Sequence, residues 1–230
     1  MPLLGQAAML LSFDVADDAI AEHDDWHTHE HLPERLSIPG FIRGTRWISL
    51  RGQPRYFVMY EVAQLATLTS QAYLERLDNP SPWTSKIMAR YRGMSRGFCS
   101  VTASFGLGVG HLGLLVRFKP QAVAADRMRA RLVEQVLPQL PSKIGVGSVH
   151  LLEGALTAPM TNEQRIRGAD AGVDWAILAT GYGPEALAEL SGGDLGSVRL
   201  AALGAASVDA MSYRMDYSLS HDEVEAARAR

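Results

Sequence analysis

Three of the chain's seven histidines, His27, His29 and His31, fall within five positions of the segment DDWHTHEHLPERL, residues 24–36. A fourth, His23, stands one helical turn upstream. An imidazole has an unperturbed pKa of about 6.5, so it can move protons near neutrality, ligate a metal, or hold a haem iron. Residues four apart on a helix of about 3.6 residues per turn are rotated by only about 40°. His23, His27 and His31 therefore share a face, and His29 points away to solvent.

The hydrophobic pattern says what that face rests on. Ala7 to Val15 suits a buried strand, and ADDAIAEHDDWHTHEH follows with helical spacing of Ile20, His23, His27 and His31. FIRGTRWISL and PRYFVMYEVA are β-rich runs joined by the turn signal RGQP. A second helix, from about Leu65 to Leu77, breaks at DNPSPW, where Pro80 and Pro82 forbid continuity, and resumes from Thr84 to Tyr91. GFCSVTASFG closes the unit as a fourth strand. The order is β-α-β-β-α-β.

After the Gly-rich joint GLGVGHLG the same order returns in LGLLVRF, AADRMRARLVEQVL, GVGSVHLLEG, VDWAILATGY, a broken helix from PEALAEL to about Ala202, and VDAMSYRMDYSLS. The expected division is a first unit at 1–107, a second at 108–220 and a charged, helical tail at 221–230. HLPERLSIPGFIRGTRW is echoed by VLPQLPSKIGVGSVH, aligning Leu32-Pro33 with Leu137-Pro138 and, after a two-residue deletion, Gly44 with Gly147. The second hairpin loop, TAPMTNEQRIRGADAG at 157–172, is much longer than RGQP, as lids and dimer arms often are.

This repeat gives the histidines their meaning. With the Leu-Pro pairs aligned, His23, His27 and His31 match Met128, Leu132 and Val136, an apolar stripe that packs on its sheet. Burying an imidazole without partners costs about 1–3 kcal/mol that an aliphatic side chain avoids. Three such positions predict a cavity between helix and sheet.

Composition narrows the function class. A net charge of -3 gives no footprint for a phosphate backbone or an anionic bilayer, so nucleic acid and membrane are not expected partners. The single Cys99 excludes an internal disulfide framework and multi-cysteine zinc sites. MPLLGQAAMLLSF reads as the first strand rather than a signal peptide, and the expected location is cytoplasmic.

The stretch WHTHEHLPERLSIPGF resembles the EthD-like branch of the dimeric α+β barrel superfamily through Trp26, Glu30, His31, Pro33, Pro39, Gly40 and Phe41. YLERLDNPSPWTS is similar to the same branch. The motif covers the first half only; the second keeps Leu-Pro but has Val136 in place of the motif histidine. The resemblance implies an α+β fold of two ferredoxin-like units whose antiparallel sheets form a barrel with helices outside, closed by one chain or by a homodimer. It also implies a small, often aromatic ligand between sheet and helices. Members include isomerases, cyclases, decarboxylases, cofactor-free monooxygenases and, among fused two-unit chains, haem proteins.

Acid/base chemistry is the favoured role of His27 and His31, supported by His23 and by Glu30, which stands about 100° around the helix from His31. Trp26, Trp47, Tyr56, Tyr60 and Trp83 are candidates to line the pocket, with Tyr56 and Tyr60 on one strand face; Arg46 can fix a carboxylate or phenolate. The expected function is a small-molecule enzyme acting on a hydrophobic or aromatic oxygenated compound, of isomerase, cyclase, decarboxylase or lyase type, without redox cofactor or metal. The competing class is a non-catalytic ligand-binding or stress-associated barrel. His27 and His31 have two-histidine metal spacing, but Thr28 stands where metalloproteases need Glu. For haem, His150, placed opposite Trp47 by the repeat, and His111 are the remaining interior candidates. GLGVG is followed by a strand rather than a helix, which excludes a phosphate-cradling loop.

Overall fold

The helix bearing the histidines lies on a sheet whose strands come from both halves of the chain. The computed structural model describes residues 3–156, 160–168 and 170–229. The first unit contributes β1 (Ala7–Val15), β2 (Phe41–Ser49), β3 (Tyr56–Val62) and β4 (Tyr91–Gly106); the second contributes β5 (Leu112–Pro120), β6 (Val146–Leu156), β7 (Trp175–Gly181) and β8 (Ala205–Ser220). Neighbouring strands are antiparallel in the order β1-β3-β2-β8-β5-β7-β6-β4, and β4 pairs back onto β1 to close the barrel. One chain suffices for closure, so the expected homodimer rests on the resemblance alone. The two long strands make the join: β4 runs from β1 onto β6, and β8 from β5 onto β2.

The helices pack outside. They are α1 (Ile20–Trp26), α2 (Leu32–Leu36), α3 (Gln71–Asp78), α4 (Pro82–Met88), α5 (Ala125–Arg131), α6 (Asn162–Arg167), α7 (Pro184–Gly192), α8 (Ser197–Leu203) and α9 (His221–Arg228). Pro80 lies in the break between α3 and α4, whereas Pro82 opens α4 rather than obstructing it. A first-turn proline loses no hydrogen bond, and Ser81 caps that turn by accepting from the Thr84 N–H at 2.9 Å. β4 begins at Tyr91, earlier than its β-rich core suggests. The tail is helical, with a capping box between Ser220 and Glu223, but it also buries Val224 in the first unit's core.

Between α1 and α2 the helix widens over His27–His31, where the Leu32 N–H bonds back to the His27 carbonyl, five residues earlier. The second unit widens identically over Leu132–Val136. The wide turn is therefore part of the repeated fold. Ala7 and Leu112, Ile20 and Ala125, His27 and Leu132, and the left-handed Gly40 and Gly145 all stand 105 residues apart. The histidine stripe thus matches Met128, Leu132 and Val136 as expected, and all three are buried in the second core.

The two-residue deletion does not exist. Gly44 pairs with Tyr60 as Val149 pairs with Ala179, and Thr45 pairs with Met59 as His150 pairs with Leu178. His150 therefore takes the place of Thr45, and Leu152 that of Trp47.

Each strand separates two cores. Tyr56, Val58 and Tyr60 of β3 face the helices, while Phe57 and Met59 face the lumen with Trp47, Leu115, Leu178 and Tyr213. The lumen is packed with side chains. Gly44 allows the histidine helix to sit close: a Cβ there would lie 2.5 Å from Leu32 Cδ2 and 3.1 Å from the Tyr60 ring. Gly44→Val, which copies the second unit, is expected to cost about 1–3 kcal/mol through overpacking. Gly147→Ala, whose Cβ would have its nearest neighbour at 3.4 Å, should stay within about 0.5 kcal/mol of the wild type, both variants being read by denaturant titration.

Candidate active site

The buried face of α1, the wide turn and α2 carries His23, Trp26, His27, His31, Leu32, Arg35 and Leu36. Successive imidazoles lie 5.5 Å apart between ring centres, and the Trp26 ring packs 4.4 Å from His31. His29 is exposed and engages Asp25, as expected. The three buried rings are not equivalent. His23 Nδ1 lies 3.1 Å from Asp24 Oδ1 and Nε2 lies 3.3 Å from the Tyr91 hydroxyl, so a neutral Nδ1–H tautomer satisfies both contacts. His27 and His31 have no hydrogen-bond partner among the described residues, and the Nδ1 atoms of both are buried.

Both unpartnered rings border a small cavity of about 30 Å³ between the helix, the strands β1, β3 and β4 and the helices α3 and α4, together with the Tyr60 hydroxyl, which is also unpartnered. That is room for about one water molecule. Burial, reinforced by nearby Arg35, holds both imidazoles well below the ordinary histidine range, so they are neutral at pH 7. Burial likewise pushes the Tyr60 phenol far up, and it stays a hydroxyl.

Charge enters from residues outside the expected set. Arg35, 2% exposed at its side chain, pairs with Glu163 and Glu34 and lies over the Tyr73 ring. Arg96 pairs with Asp170 at 2.8 Å and donates to Gln164 at 3.2 Å; Arg167 holds Asp170 at 2.8 Å. Glu163, Gln164 and Arg167 all come from α6, inside the long second hairpin loop. Thus the second unit's loop roofs the first unit's cavity. Residues 157–159 and 169 of that loop lie outside the described residues.

Of the expected site residues, the fold brings His27, His31 and Tyr60 to the cavity. Trp47 is on the opposite face of β2, in the lumen, because side chains alternate along a strand. Trp26 lies behind His31, and its indole N–H donates to Glu30 Oε1 at 3.1 Å. That Glu30 oxygen also accepts from Ser81 at 2.6 Å and Thr84 at 3.1 Å, so Glu30 ties the histidine helix to α4 instead of orienting His31. Tyr56 donates to Asp24 at 2.8 Å beside His23. Burial raises the Asp24 carboxyl, but the hydrogen bonds from His23 and Tyr56 outweigh it and hold the group below its ordinary value. Arg46 bridges Asp216 at 2.7 Å and the Asp24 carbonyl at 3.1 Å, and half-buried Trp83 donates to Glu22 at 3.2 Å.

Arg35 was legible in principle: its counterpart is Leu140, buried in the second core, the same aliphatic-to-polar exchange as in the stripe. Arg96, Glu163 and Arg167 carry no such signal, because only the folded loop brings them together.

Neither His150 nor His111 is placed to hold a haem iron. Both nitrogens of His150 are hydrogen-bonded, to Ser104 at 2.7 Å and Ser148 at 3.1 Å, inside the packed lumen, and burial with nearby Arg43 pushes its ring down to about 3. His111 is exposed. Among the described residues no three His, Cys, Asp or Glu side chains converge in a metal-binding group.

No family model and no curated protein sequence matches the chain. Solved structures do. An anthrone oxidase-like protein superposes with a TM-score of 0.66 at 12% identity, covering 95% of this chain and 94% of that one. A candidate monooxygenase from Fusobacterium nucleatum gives 0.59 at 9% identity over 95% and 96%. A chlorite dismutase variant from Candidatus Nitrospira defluvii gives 0.57 at 14% over 99% and 98%. The chain has the dimeric α+β barrel fold, made of two ferredoxin-like units. No described helix is long and apolar enough to cross a membrane.

The second unit supplies a direct test of the histidines. His27→Leu with His31→Val, which copies Leu132 and Val136, should stabilise the protein by about 1–3 kcal/mol at pH 7, read by chemical denaturation. Because folded His27 and His31 titrate below their unfolded value of about 6.5, wild-type stability is fully present above that pH and falls as pH drops below it. The double variant should lose this part of the pH dependence.

Proposed function

We propose that the cavity beside His27 and His31 is the active centre of a small-molecule enzyme that moves a proton on an aromatic, oxygenated substrate without a redox cofactor. The observation that carries this reading is two neutral, buried imidazoles without partners, in a repeat whose other copy fills the same positions with Leu132 and Val136. A neutral imidazole is equipped to accept a proton. Burial weakens it as a base, which suits it to substrates whose C–H or O–H is itself acidic, and makes its conjugate acid quick to return the proton to another atom of the substrate or to the leaving group. Arg35 and the Tyr60 hydroxyl border the same space and are suited to stabilise the oxyanion that forms as an acidic C–H or O–H is lost. His23, fixed by Asp24 and Tyr91, is a positioning residue for the stripe.

Proton removal of this kind serves isomerisation, cyclisation, decarboxylation or lyase cleavage. The neighbours described as an anthrone oxidase-like protein and a candidate monooxygenase favour a further outcome, in which the substrate carbanion reacts with dioxygen. For an aromatic methylene ketone this balances as loss of CH₂ hydrogens, gain of a carbonyl and release of water. His27 and His31 would then supply the deprotonation only.

The test uses anthrone and related enolisable aromatic ketones. In D₂O without oxygen, the wild type should accelerate deuterium entry at the acidic carbon, and His27→Ala with His31→Ala should lower that rate about 10²–10⁴-fold with the fold retained by circular dichroism. With oxygen admitted, matched consumption of ketone and O₂ would identify the oxygenative outcome. Tight binding of these compounds with no exchange and no oxygen uptake would overturn the enzymatic reading in favour of a non-catalytic ligand-binding barrel.

A further inference from the structure

The pairing of Glu163 with Arg35 is left unused by that chemistry, and it bears on what enters the cavity. Glu163 and Arg35 are each 2% exposed at their side chains, and Arg167 Nη1 stands 4.0 Å from the second Glu163 oxygen. Glu163 lines the same space as His27, His31 and Tyr60. It rides on α6, whose place in the first hairpin is taken by the short turn at 50–55 that contains RGQP.

The cavity of about 30 Å³ is far below the roughly 300–1,000 Å³ of small-molecule sites, so a ligand must displace something. The walls are poor candidates: β1, β3 and β4 belong to the closed hydrogen-bonded barrel, the histidine helix buries Trp26, Leu32 and Leu36 in the core, and α3 and α4 bury Tyr73, Leu77 and Met88 there. The roof is different. α6 is six residues long and is held to the first unit by polar side chains: Asn162 on Asp78, Gln164 on Arg96 and Glu163 on Arg35.

We propose that α6 is a lid and that the Glu163 carboxylate is a built-in stand-in for the ligand's own anionic group. The ligand is then an aromatic compound bearing a carboxylate or an ionised acidic hydroxyl, and it binds by replacing Glu163 on Arg35. This deepens the active-centre reading above and rests on it. The guanidinium fork matches either carboxylate. Arg35 stays paired in both states, which a buried charge requires, and a neutral ligand, which offers Arg35 an anionic partner only after losing a proton, binds more weakly. The exchange therefore opens the site and selects by charge in one step.

The experiment titrates the full chain calorimetrically with 2-naphthoate and with its neutral counterpart naphthalene-2-carboxamide, in the wild type and in Glu163→Gln, which keeps an amide oxygen for Arg35. The wild type should prefer the carboxylate. Glu163→Gln should bind 2-naphthoate about 10-fold more tightly or better, with little change for the amide. As a readout that needs no variant, backbone amide exchange over residues 161–168 of the wild type should quicken when 2-naphthoate saturates it. Equal affinities in the two proteins, or binding with exchange at 161–168 unchanged or slowed, would overturn the lid and the stand-in while leaving the cavity a binding site. Failure of both probes to bind either folded protein would overturn the cavity reading along with it.

Discussion

A polar stripe buried where the fold calls for an apolar one is the constraint on which this molecule's site depends. Packing a helix on a sheet removes its inner face from water, and the second unit meets that condition with Met128, Leu132 and Val136. The first unit places His23, His27 and His31 on the same geometry, wide turn included, and leaves two of the rings without partners. Removal from water keeps them neutral. A fold that carries such a polar defect at full depth forgoes stability it could have gained by aliphatic packing, the pattern expected where function opposes stability.

The two units are unequal partners in one barrel. β4 and β8 each cross from one unit to the other, so neither sheet is complete alone. α9, at the end of the second unit, buries Val224 in the first unit's core, and α6 reaches back to roof the first unit's cavity. The second unit thus serves as a packed support that also supplies the cover. Its own helix–sheet layer is filled, and Ala179 and Ala205 stand where the first unit has Tyr60 and Tyr91. One site results from a repeated fold.

Most of the architecture could be read from the residues because it rests on local rules. Period-2 and period-3.6 patterns marked both β-α-β-β-α-β units, and the Leu32-Pro33 and Leu137-Pro138 pairs set the helices in the right register. What failed was the spacing beyond the helix. Glycine at 44 and 147 invited a deletion, whereas the matched left-handed glycines are Gly40 and Gly145. That slip misplaced His150 opposite Trp47. The lumen position of Trp47 is hidden in the sequence because a strand's two faces both look apolar when lumen and helix layers are both packed. Helix geometry gives the angle of Glu30 but not its partners Ser81 and Thr84, which lie some fifty residues away. The arginine and carboxylate roof joins residues 35, 96 and 163–170, a juxtaposition that only the folded loop creates.

The most direct test of this account is a histidine-selective ¹⁵N NMR titration of the intact protein, assigned with single His27→Gln and His31→Gln variants. The account predicts that both rings stay neutral as pH falls from 7.5 to about 6, since burial depresses both. Protonation of either ring at or above the ordinary histidine value of about 6.5 would place it in contact with solvent and contradict the buried site.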